Sequence, residues 1–334
     1  MRSLFGFNKA EDVDSAKASE KSSLADGASS ELPPIFHCTS IDGPLQTIKP
    51  LEGNEKKVLE QLKKEIPNLI KDLPEVDAES KKYIDEAVPL NIEQWLTDEC
   101  IARYVRARKG VYEDTRRALR KTIEWRAQTR PDALRPDVVE IENKTGKMYF
   151  NGFDKFSRPV IYMYNHRQNT KEPDNQIRWV IYTLEMVIRN MPKGVEKVSL
   201  AIDASHWGFS NSVSIGTAKK FLDVLANHYP ERLGRAVIFR PPKFFTAFYS
   251  LVSPFIDPVT KAKVAFVNPD SADTKPQADS HSAWAAIEDC FVRDKLEVDC
   301  YGDWPFRYSH GVYWKAIEAE FAEHKAAMQA QSKE

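Results

Sequence analysis

Phe244-Phe-Thr-Ala-Phe-Tyr-Ser-Leu-Val-Ser-Pro-Phe-Ile256 is a stretch of 13 residues without a charged side chain. Its apolar positions recur every three or four residues as far as Val259, which predicts a helix with one wide apolar face. Because Pro254 lacks a backbone N–H, we expect this helix to break near Ser253. The stretch is too short to span a bilayer, so it is either a buried crossover helix or a hinged element that covers a cavity and rests on a bilayer. The predicted apolar face consists of Phe244, Phe245, Phe248, Leu251, Val252, Phe255, Ile256 and Val259.

Short strand-like runs lie on both sides of this stretch. They are Met148–Phe150, Pro159–Tyr164, Val198–Ile202, Ala236–Phe239 and Val264–Val267. β-Branched and aromatic residues dominate these runs, as is typical of strands. Helical segments over residues 176–191 and 212–227 separate the later runs. Alternation of strands and helices predicts crossover connections and therefore an α/β fold with a mostly parallel sheet.

The first third of the chain has a different pattern. Residues 1–50 are rich in Ser, Ala, Asp, Lys and Pro with little apolar periodicity, which is typical of a disordered tail. Helical spacing begins after it: Thr97 precedes one periodic run, and a second run over residues 112–129 is stopped by Pro131. We therefore expect a disordered tail, a helical N-terminal unit, an α/β domain and a C-terminal helix. Their predicted ranges are 1–50, 51–135, 136–310 and 311–334.

Composition limits the class of protein. Hydrophobic residues make up 42% and charged residues 29% of the 334 residues, and the net charge of −1 gives no overall attraction to nucleic acid. No apolar run approaches the roughly 20 residues of a spanning helix, and the N-terminus lacks the apolar core of a signal peptide. The four cysteines stand at scattered positions without a CxxC pair, which favours buried thiols in a reducing compartment. We expect a soluble, cytoplasmic protein.

Motifs for catalysis are missing from the sequence. The nucleotide-binding loops GxGxxG and GxxxxGK[ST] are absent, and the seven histidines form no HExxH and no His/Cys zinc spacing. Gly208-Phe-Ser210-Asn-Ser212 begins like the nucleophile turn of an α/β hydrolase but lacks the closing glycine. His206 follows a predicted strand, where a catalytic residue of such a hydrolase would stand, yet no partner converges on it. We predict that the protein is not an enzyme and holds no metal.

Two motifs flank the apolar helix, and they resemble those of a known family. Asn227-His-Tyr-Pro-Glu-Arg-Leu-Gly234 stands upstream and Phe255-Ile-Asp-Pro-Val-Thr-Lys-Ala-Lys263 stands downstream. Together with Leu96-Thr-Asp-Glu-Cys-Ile-Ala-Arg-Tyr-Val-Arg-Ala-Arg-Lys109, they resemble the CRAL-TRIO domain of the fungal secretory phosphatidylinositol-transfer proteins, over about residues 90–310. The ending around Tyr301 to Trp314 is most similar to the subgroup tied to pleiotropic drug resistance. The resemblance implies the CRAL-TRIO fold, an α/β fold with a mixed, mostly parallel sheet, an apolar lipid pocket and a gating helix, preceded by a helical N-terminal unit.

The resemblance also implies a binding site for the phosphatidylinositol headgroup. In the family a Glu, a Thr, a Lys and an Arg hold the phosphoinositol, and the matching positions here are Glu231, Thr260, Lys263 and Arg108. Cations neutralise the phosphate, while carboxylate and hydroxyl oxygens bond the inositol hydroxyls. Pairing of Glu231 with Lys263 would also keep each charge from being buried alone. The eight apolar residues between Phe244 and Val259 then form the gate and the acyl-chain pocket.

A second headgroup site departs from the family pattern in this chain. Members that also carry phosphatidylcholine use two Tyr, a Ser and a Thr, whereas the matching positions here are Phe150, Ile161, Lys197 and Ser199. Most of the hydroxyls are lost, and a lysine would repel the choline cation. We therefore do not expect phosphatidylcholine as a ligand. A sterol or another apolar small molecule is the alternative ligand.

The predicted function is non-catalytic transfer of phosphatidylinositol between membranes, or presentation of this lipid to a phosphoinositide kinase. Two acyl chains of about 16 carbons each, at about 0.8 kcal/mol per CH₂, amount to roughly 25 kcal/mol of apolar transfer, so the lipid needs a closed pocket. We expect no cofactor other than the bound phospholipid and no nucleic-acid partner. The expected location is cytoplasmic, with transient contact with the endoplasmic reticulum, lipid droplets or other membranes.

Overall fold

A six-stranded mixed sheet forms the centre of the computed structural model, with its strands side by side in chain order. The strands are β1 (Met148–Phe153), β2 (Pro159–Tyr164), β3 (Val198–Asp203), β4 (Leu233–Phe239), β5 (Val264–Val267) and β6 (Ala283–Trp284). β1 runs antiparallel to β2, and all later neighbours are parallel. The structure describes residues 31–39, 43–45, 48–267, 283–284 and 287–332, without the side chains of Ser210, Ala283 and Trp284.

The α-helices of the described residues precede the sheet, connect its parallel strands or close the chain. They are α1 (Asn54–Lys64), α2 (Ile66–Leu69), α3 (Ile92–Trp95), α4 (Asp98–Ala107), α5 (Tyr112–Thr129), α6 (Glu140–Asn143), α7 (Pro173–Arg189), α8 (Ile215–His228), α9 (Lys243–Val252), α10 (Pro258–Lys261) and α11 (His310–Gln331). Hydroxyl caps fix two of the starts, since Thr97 accepts the N–H of Cys100 and Ser214 accepts that of Thr217. α7, α8 and the α9–α10 pair are the crossovers that parallel strands require.

One face of the sheet is covered by α9, and we call it the α9 face. A row of apolar side chains crosses four strands there: Met163, Ile202, Ile238 and Phe266. The rings of Phe245 and Tyr249 on α9 lie 6.1 Å and 5.5 Å from the ring of Phe266. Successive residues of a strand point to opposite faces. The face on which this row lies therefore determines the face of each remaining strand residue.

The opposite face is covered by residues 287–308, and we call it the Glu297 face. Its row consists of Tyr162, Ala201, Val237 and Ala265. The backbone N–H of Glu297 donates to the hydroxyl of Tyr162 at 3.4 Å. Phe291, Leu296 and Phe306 of the covering segment are buried in the same core as these strands. This side of the sheet is therefore tightly packed.

The helical N-terminal part has a core of its own, in which Leu62, Ile101 and Leu119 are fully buried. A buried, two-pronged ion pair joins it to α7: Arg126 Nη1 and Nη2 lie 2.7 Å and 3.0 Å from the two oxygens of Glu185. Such geometry compensates the cost of burying both charges. The described residues from Glu31 onward form one compact unit, and the predicted domain boundary at residue 135 stays a prediction. No helix of the described residues is long and apolar enough to cross a membrane.

Most of the predicted fold is confirmed. The sheet is mixed and mostly parallel, and the helix breaks where Pro254 predicted: α9 ends at Val252 and a 3₁₀ turn follows. The predicted disordered tail over residues 1–50 is wrong at its end, because Phe36 is buried and its ring lies 5.5 Å from that of Phe150. The burial of Phe36 was not predicted, because a single apolar residue in a polar segment creates no hydrophobic periodicity. Residues 1–30 lie outside the described residues.

Candidate functional site

Three charged residues occupy equivalent places just before three neighbouring strands. Lys197 immediately precedes β3, Lys263 immediately precedes β5, and Glu231 stands two residues before β4. Because these strands are parallel neighbours, their amino ends meet at the same edge of the sheet. We call Lys197, Glu231 and Lys263 the amino-edge cluster.

The amino-edge cluster is a carboxylate between two ammonium groups. Glu231 Oε2 lies 3.8 Å from Lys197 Nζ and 3.8 Å from Lys263 Nζ. The three side chains are only 15%, 23% and 17% exposed in chain order, so water screens them less than it screens a surface pair. Burial, and after it the nearby Lys263 ammonium, lowers the pKa of Lys197. The cluster therefore holds positive charge that the single carboxylate does not fully compensate.

The backbone at Glu231 is strained. Its φ of +60° lies in the left-handed region, which costs a residue other than glycine about 1–2 kcal/mol. The next residue is held firmly, because Arg232 Nη1 donates to the Glu196 carbonyl at 2.9 Å and the Arg232 carbonyl accepts from Val198 N at 2.8 Å. These contacts fix the turn between α8 and β4 in the form that brings the Glu231 carboxylate to both lysines.

Thr260 reaches the same edge through α10. Asp257 Oδ1 caps this short helix by accepting the N–H of Thr260 at 2.9 Å, and the Thr260 carbonyl accepts the N–H of Lys263 at 3.1 Å. Burial opposes ionisation of Asp257, but hydrogen bonds from Thr260 outweigh it and lower the pKa of that carboxyl. Of the four predicted headgroup residues, the structure brings Glu231 and Lys263 into contact and ties Thr260 to Lys263 through the backbone.

Arg108 is the fourth predicted headgroup residue, and it is not joined to the others. It follows the last residue of α4, and in the described part of the chain its guanidinium hydrogen-bonds only to the Ala107 carbonyl, at 3.4 Å. Arg106 stands nearer, because its Nη2 lies 2.6 Å from the carboxylate of Glu196, the neighbour of Lys197.

The four positions aligned with the family's second headgroup site lie in different parts of the sheet. Phe150 and Ile161 are buried partners across β1 and β2 on the α9 face. Ser199 lies on the Glu297 face, where its hydroxyl donates to Asp154 Oδ2 at 2.6 Å. Lys197 belongs to the amino-edge cluster instead. Motif spacing along the chain does not fix on which face of the sheet each strand residue lies, so the alignment could not show this separation.

The eight residues predicted as gate and pocket do not form a single face. Phe245 is buried against the sheet and Val252 is buried, while Phe248 and Ile256 are half-buried. The remaining four have between 39% and 60% of their surface exposed, and we call them the outer stripe: Phe244, Leu251, Phe255 and Val259. Four large apolar side chains exposed between residues 244 and 259 favour a segment that does more than serve as a buried crossover.

The sheet beneath α9 is incompletely covered. Leu200 and Ile202 lie in β3 between two neighbouring strands, yet both are only half-buried. The adjacent helix α8 is also loosely covered, because Thr217 and Ala218 are its buried residues and Val224 is half-buried. Protein interiors are close-packed, so half-covered apolar side chains on a central strand indicate room for an apolar occupant.

Of the two residues of the hydrolase alternative, His206 and Ser210, the structure describes the side chain of His206. The His206 side chain is exposed in the loop after β3, and its ring centre lies 5.6 Å from that of His166. The side chain of Ser210 lies outside the described part of the structure. Over the described ranges, which omit residues 1–30 and most of 268–286, no group of three or more His, Cys, Asp or Glu is placed to hold a metal ion.

Sequence reasoning missed that Lys197 and Glu231 are in contact. It also missed the support behind them, where Glu196 binds Arg106 at 2.6 Å and Arg103 at 3.9 Å. The sequence did contain a signal for the contact between Lys197 and Glu231. Lys197, Glu231 and Lys263 each come just before a predicted parallel strand, and the amino ends of neighbouring parallel strands meet at one edge of the sheet.

Comparison with known proteins identifies the same domain. The CRAL/TRIO domain family matches residues 143–279. The chain is 34% identical to a CRAL-TRIO domain-containing protein of Schizosaccharomyces pombe over 271 residues, which cover 81% of this chain and 25% of that protein. It is 34% identical to the phosphatidylinositol transfer protein PDR17 of Saccharomyces cerevisiae over 232 residues, which cover 66% of this chain and 61% of that protein.

The chain thus spans a quarter and about three fifths of the lengths of these two relatives. Among solved structures, it is similar to the crystal structure of Sfh5, with a TM-score of 0.52 over 83% of this chain and 100% of that chain. The sequence identity to Sfh5 is 17%, so this similarity concerns the fold alone.

Proposed function

The chain belongs to the CRAL-TRIO family, and from this premise we propose that it binds phosphatidylinositol and transfers it between membranes or presents it to a phosphoinositide kinase. The observation that carries the proposal is the amino-edge cluster, a half-buried Lys–Glu–Lys arrangement on the strained turn at Glu231. Similarity to a relative named as a phosphatidylinositol transfer protein supports the choice of lipid.

The chemistry of the cluster suits a phosphoinositol. Lys263 supplies three donors and a positive charge for the phosphodiester, while the Glu231 carboxylate accepts hydrogen bonds from inositol hydroxyls. The Thr260 hydroxyl can donate or accept beside them. A headgroup that binds Glu231 and Lys263 also replaces the water lost when their side chains became half-buried.

The α9 face suits the acyl chains. The half-covered Leu200 and Ile202 offer apolar surface inside the fold, and the outer stripe offers apolar surface outside it. We propose that the outer stripe rests on the membrane while the lipid passes under α9, since exposure of both chains to water would oppose transfer by roughly 25 kcal/mol. Contact with the membrane is then peripheral and transient, at the cytoplasmic surface, and needs no catalytic residue.

A sterol or another apolar small molecule is the second candidate ligand. The observation in its favour is that Phe150 and Ile161, where relatives that carry phosphatidylcholine have hydroxyls, are fully apolar and buried on the α9 face. A sterol would fill the apolar space but would leave the amino-edge cluster without an anionic partner. We therefore place phosphatidylinositol first.

The test is transfer of phosphatidylinositol between donor and acceptor vesicles by the variant Lys263→Ala. Loss of a charge-assisted hydrogen bond is worth about 1.5–3 kcal/mol, so we expect transfer to fall by about tenfold or more while the fold is retained. Lys261→Ala is the matched control, because Lys261 ends the same short helix and lies outside the Glu231 contact. Transfer by Lys263→Ala at the wild-type rate would remove the headgroup assignment.

A further inference from the structure

A small cavity outside the amino-edge cluster lies where α4 and α5 meet α7 and the turn before β4, and we call it the arginine cavity. Its volume is about 40 Å³, which exceeds the roughly 10–15 Å³ that one water molecule needs but is too small for an inositol ring with its phosphate. Three guanidinium groups line it: Arg103 on α4, Arg126 on α5 and Arg232 immediately before β4. Charged side chains are rarely buried without a partner, so the negative charge that balances these three cations has to be identified.

The carboxylates beside the arginine cavity are already engaged. Glu185 stands in its wall and accepts two hydrogen bonds from Arg126, at 2.7 Å and 3.0 Å. Glu196 lies 2.6 Å from Arg106 Nη2 but 3.9 Å from Arg103 Nη1. Among the described residues of this network, the three arginines of the wall and Arg106 therefore share two carboxylates. Two positive charges are left without a carboxylate of their own.

Arg103 and Arg232 are the two arginines that lack a close carboxylate. The Arg103 side chain is only 8% exposed, and its described polar contacts are Glu196 at 3.9 Å and the neutral thiol of Cys100. Among the described residues Arg232 forms no ion pair, and its Nη1 donates to a neutral acceptor, the Glu196 carbonyl, at 2.9 Å. Burial, and after it the charge of Arg103, lowers the pKa of Arg232 to about 9, so this guanidinium is still charged at neutral pH. Both side chains therefore bring positive charge and N–H donors to the wall of the cavity.

The chemistry of this wall favours a small oxyanion. A guanidinium presents a planar fork of N–H donors that fits two oxygens of a phosphate or sulfate. The other titratable groups of the wall add no charge: the Tyr104 hydroxyl donates to the His228 carbonyl at 3.2 Å, and burial lowers the pKa of the His228 ring to about 4. Two positive charges without a carboxylate match the charge of one phosphate or sulfate dianion.

We propose that the arginine cavity binds one tetrahedral oxyanion, inorganic phosphate or sulfate, at a site separate from the lipid site. Arg103 binds the ion from α4 and Arg232 binds it from the turn before β4. Arg126, which Glu185 orients, contributes from α5. Because Arg232 directly follows Glu231, the bound ion also holds the strained turn on which the amino-edge cluster stands. The site requires no lipid and therefore does not depend on the proposed function.

The test is equilibrium binding of radiolabelled inorganic phosphate to the full-length protein, in about 0.15 M sodium chloride to screen exposed charges. Several charge-assisted hydrogen bonds predict saturable binding of about one phosphate per chain, with a Kd of about 1 mM or lower, and displacement by sulfate. Arg103→Gln removes one fork and one charge, so its affinity should fall by about tenfold or more. Arg103→Lys keeps the charge without the fork and should lose less. Arg117→Gln is the matched control, because Arg117 on α5 is 78% exposed, and its affinity should stay within about twofold of the wild type.

Absence of saturable phosphate binding by the wild type would overturn the oxyanion site, as would equal affinities of the wild type and Arg103→Gln. Thermal unfolding of the wild type decides the matter even where a variant does not fold. Phosphate should raise the melting temperature more than sodium chloride of equal ionic strength does, because only a ligand of the folded state stabilises by mass action. Equal effects of the two salts would contradict a specific site.

Vesicles distinguish a free ion from a lipid headgroup of the same chemistry. Phosphatidylcholine vesicles that carry phosphatidic acid are added as a competitor, and we expect them to leave the bound phosphate in place, because the cavity is too small for more than the oxyanion. Displacement at a concentration of phosphatidic acid equal to that of phosphate would contradict a free ion as the ligand. All these readouts concern phosphate, so their failure leaves phosphatidylinositol transfer as an independent question.

Discussion

On the Glu297 face of the sheet, polar side chains are buried and bonded, whereas on the α9 face apolar side chains are left partly uncovered. Glu297 is 1% exposed, and its carboxylate accepts from the Tyr149 and Tyr164 hydroxyls at 2.6 Å and 2.9 Å and from the Asn151 amide at 2.9 Å. Across the sheet, Leu200 and Ile202 are half-buried although they lie in a central strand. One face therefore stabilises the fold through buried, hydrogen-bonded polar groups, and we propose that the other accommodates the lipid.

The contrast between the two faces predicts its largest effect for the pH dependence of the free energy of unfolding, through Glu297. Burial raises the pKa of its carboxyl to about 7, against the opposing hydrogen bonds of Tyr149, Asn151 and Tyr164. The unfolded chain loses this proton near its ordinary pKa of about 4.3, so the contribution to stability is complete below that pH and is lost as the pH rises to about 7. We expect the free energy of unfolding to fall by about 2–3 kcal/mol between about pH 5 and about pH 8 through this residue.

Urea unfolding of the wild type and Glu297→Gln over this pH range measures that effect. The amide of Gln has no charge to bury and nearly the same shape as the carboxyl. The variant should therefore not lose stability as the pH rises. The difference between the two proteins cancels other groups, among them His228, whose pKa burial lowers to about 4. If the free energies of unfolding of the two proteins changed in parallel with pH, the Glu297 carboxyl would not be the cause of the decline.

A smaller effect on stability is expected on the outer stripe. Leu251 and Phe255 are 60% and 51% exposed, so we expect Leu251→Ser and Phe255→Ser to change the free energy of unfolding by no more than about 0.5 kcal/mol. Their association with anionic vesicles, measured by co-sedimentation, should nevertheless fall by about tenfold for the pair, because apolar area that enters the bilayer is removed. Lys219 Nζ lies 4.0 Å from the Phe255 ring centre and places a cation beside the same surface.

Val252→Ser is the matched control on the same helix. Val252 is buried, so this change should cost about 2 kcal/mol or more. If Leu251→Ser destabilised the protein as much as Val252→Ser does, the outer stripe would be part of the core and the contrast between the two faces would fail.

The fold was predictable because its signals are local. Alternating strand and helix periods from Pro159 to Val267 determine the parallel sheet, and Pro254 determines the end of α9. Phe36 was missed because one apolar side chain in a polar segment gives no period, although it stacks on Phe150. The division of the apolar helix face into an inner and an outer half was also not predictable, since the hydrophobic pattern does not say how wide the surface beneath the helix is.

The candidate site was predictable only in part. The motif resemblance placed Glu231, Thr260 and Lys263 in one site. Glu231 and Lys263 form an ion pair, and the Thr260 carbonyl accepts the N–H of Lys263. The alignment matched Lys197 to a position of the family's second headgroup site and did not reveal its contact with Glu231, because contacts between residues before different strands depend on the register of the sheet. Arg108 was expected at the cluster as well, whereas α4 directs Arg106 toward Glu196.

The most direct test of the account is the identity of the lipid that copurifies with the full-length protein. Mass spectrometry of a solvent extract identifies it without any assumption about membranes or transfer. The account predicts an inositol phospholipid in about equimolar amount in the wild type, and a strong reduction of it in Lys263→Ala. A wild-type extract that contains a sterol or another neutral lipid, and no inositol phospholipid, would contradict the assignment of the amino-edge cluster as a headgroup site.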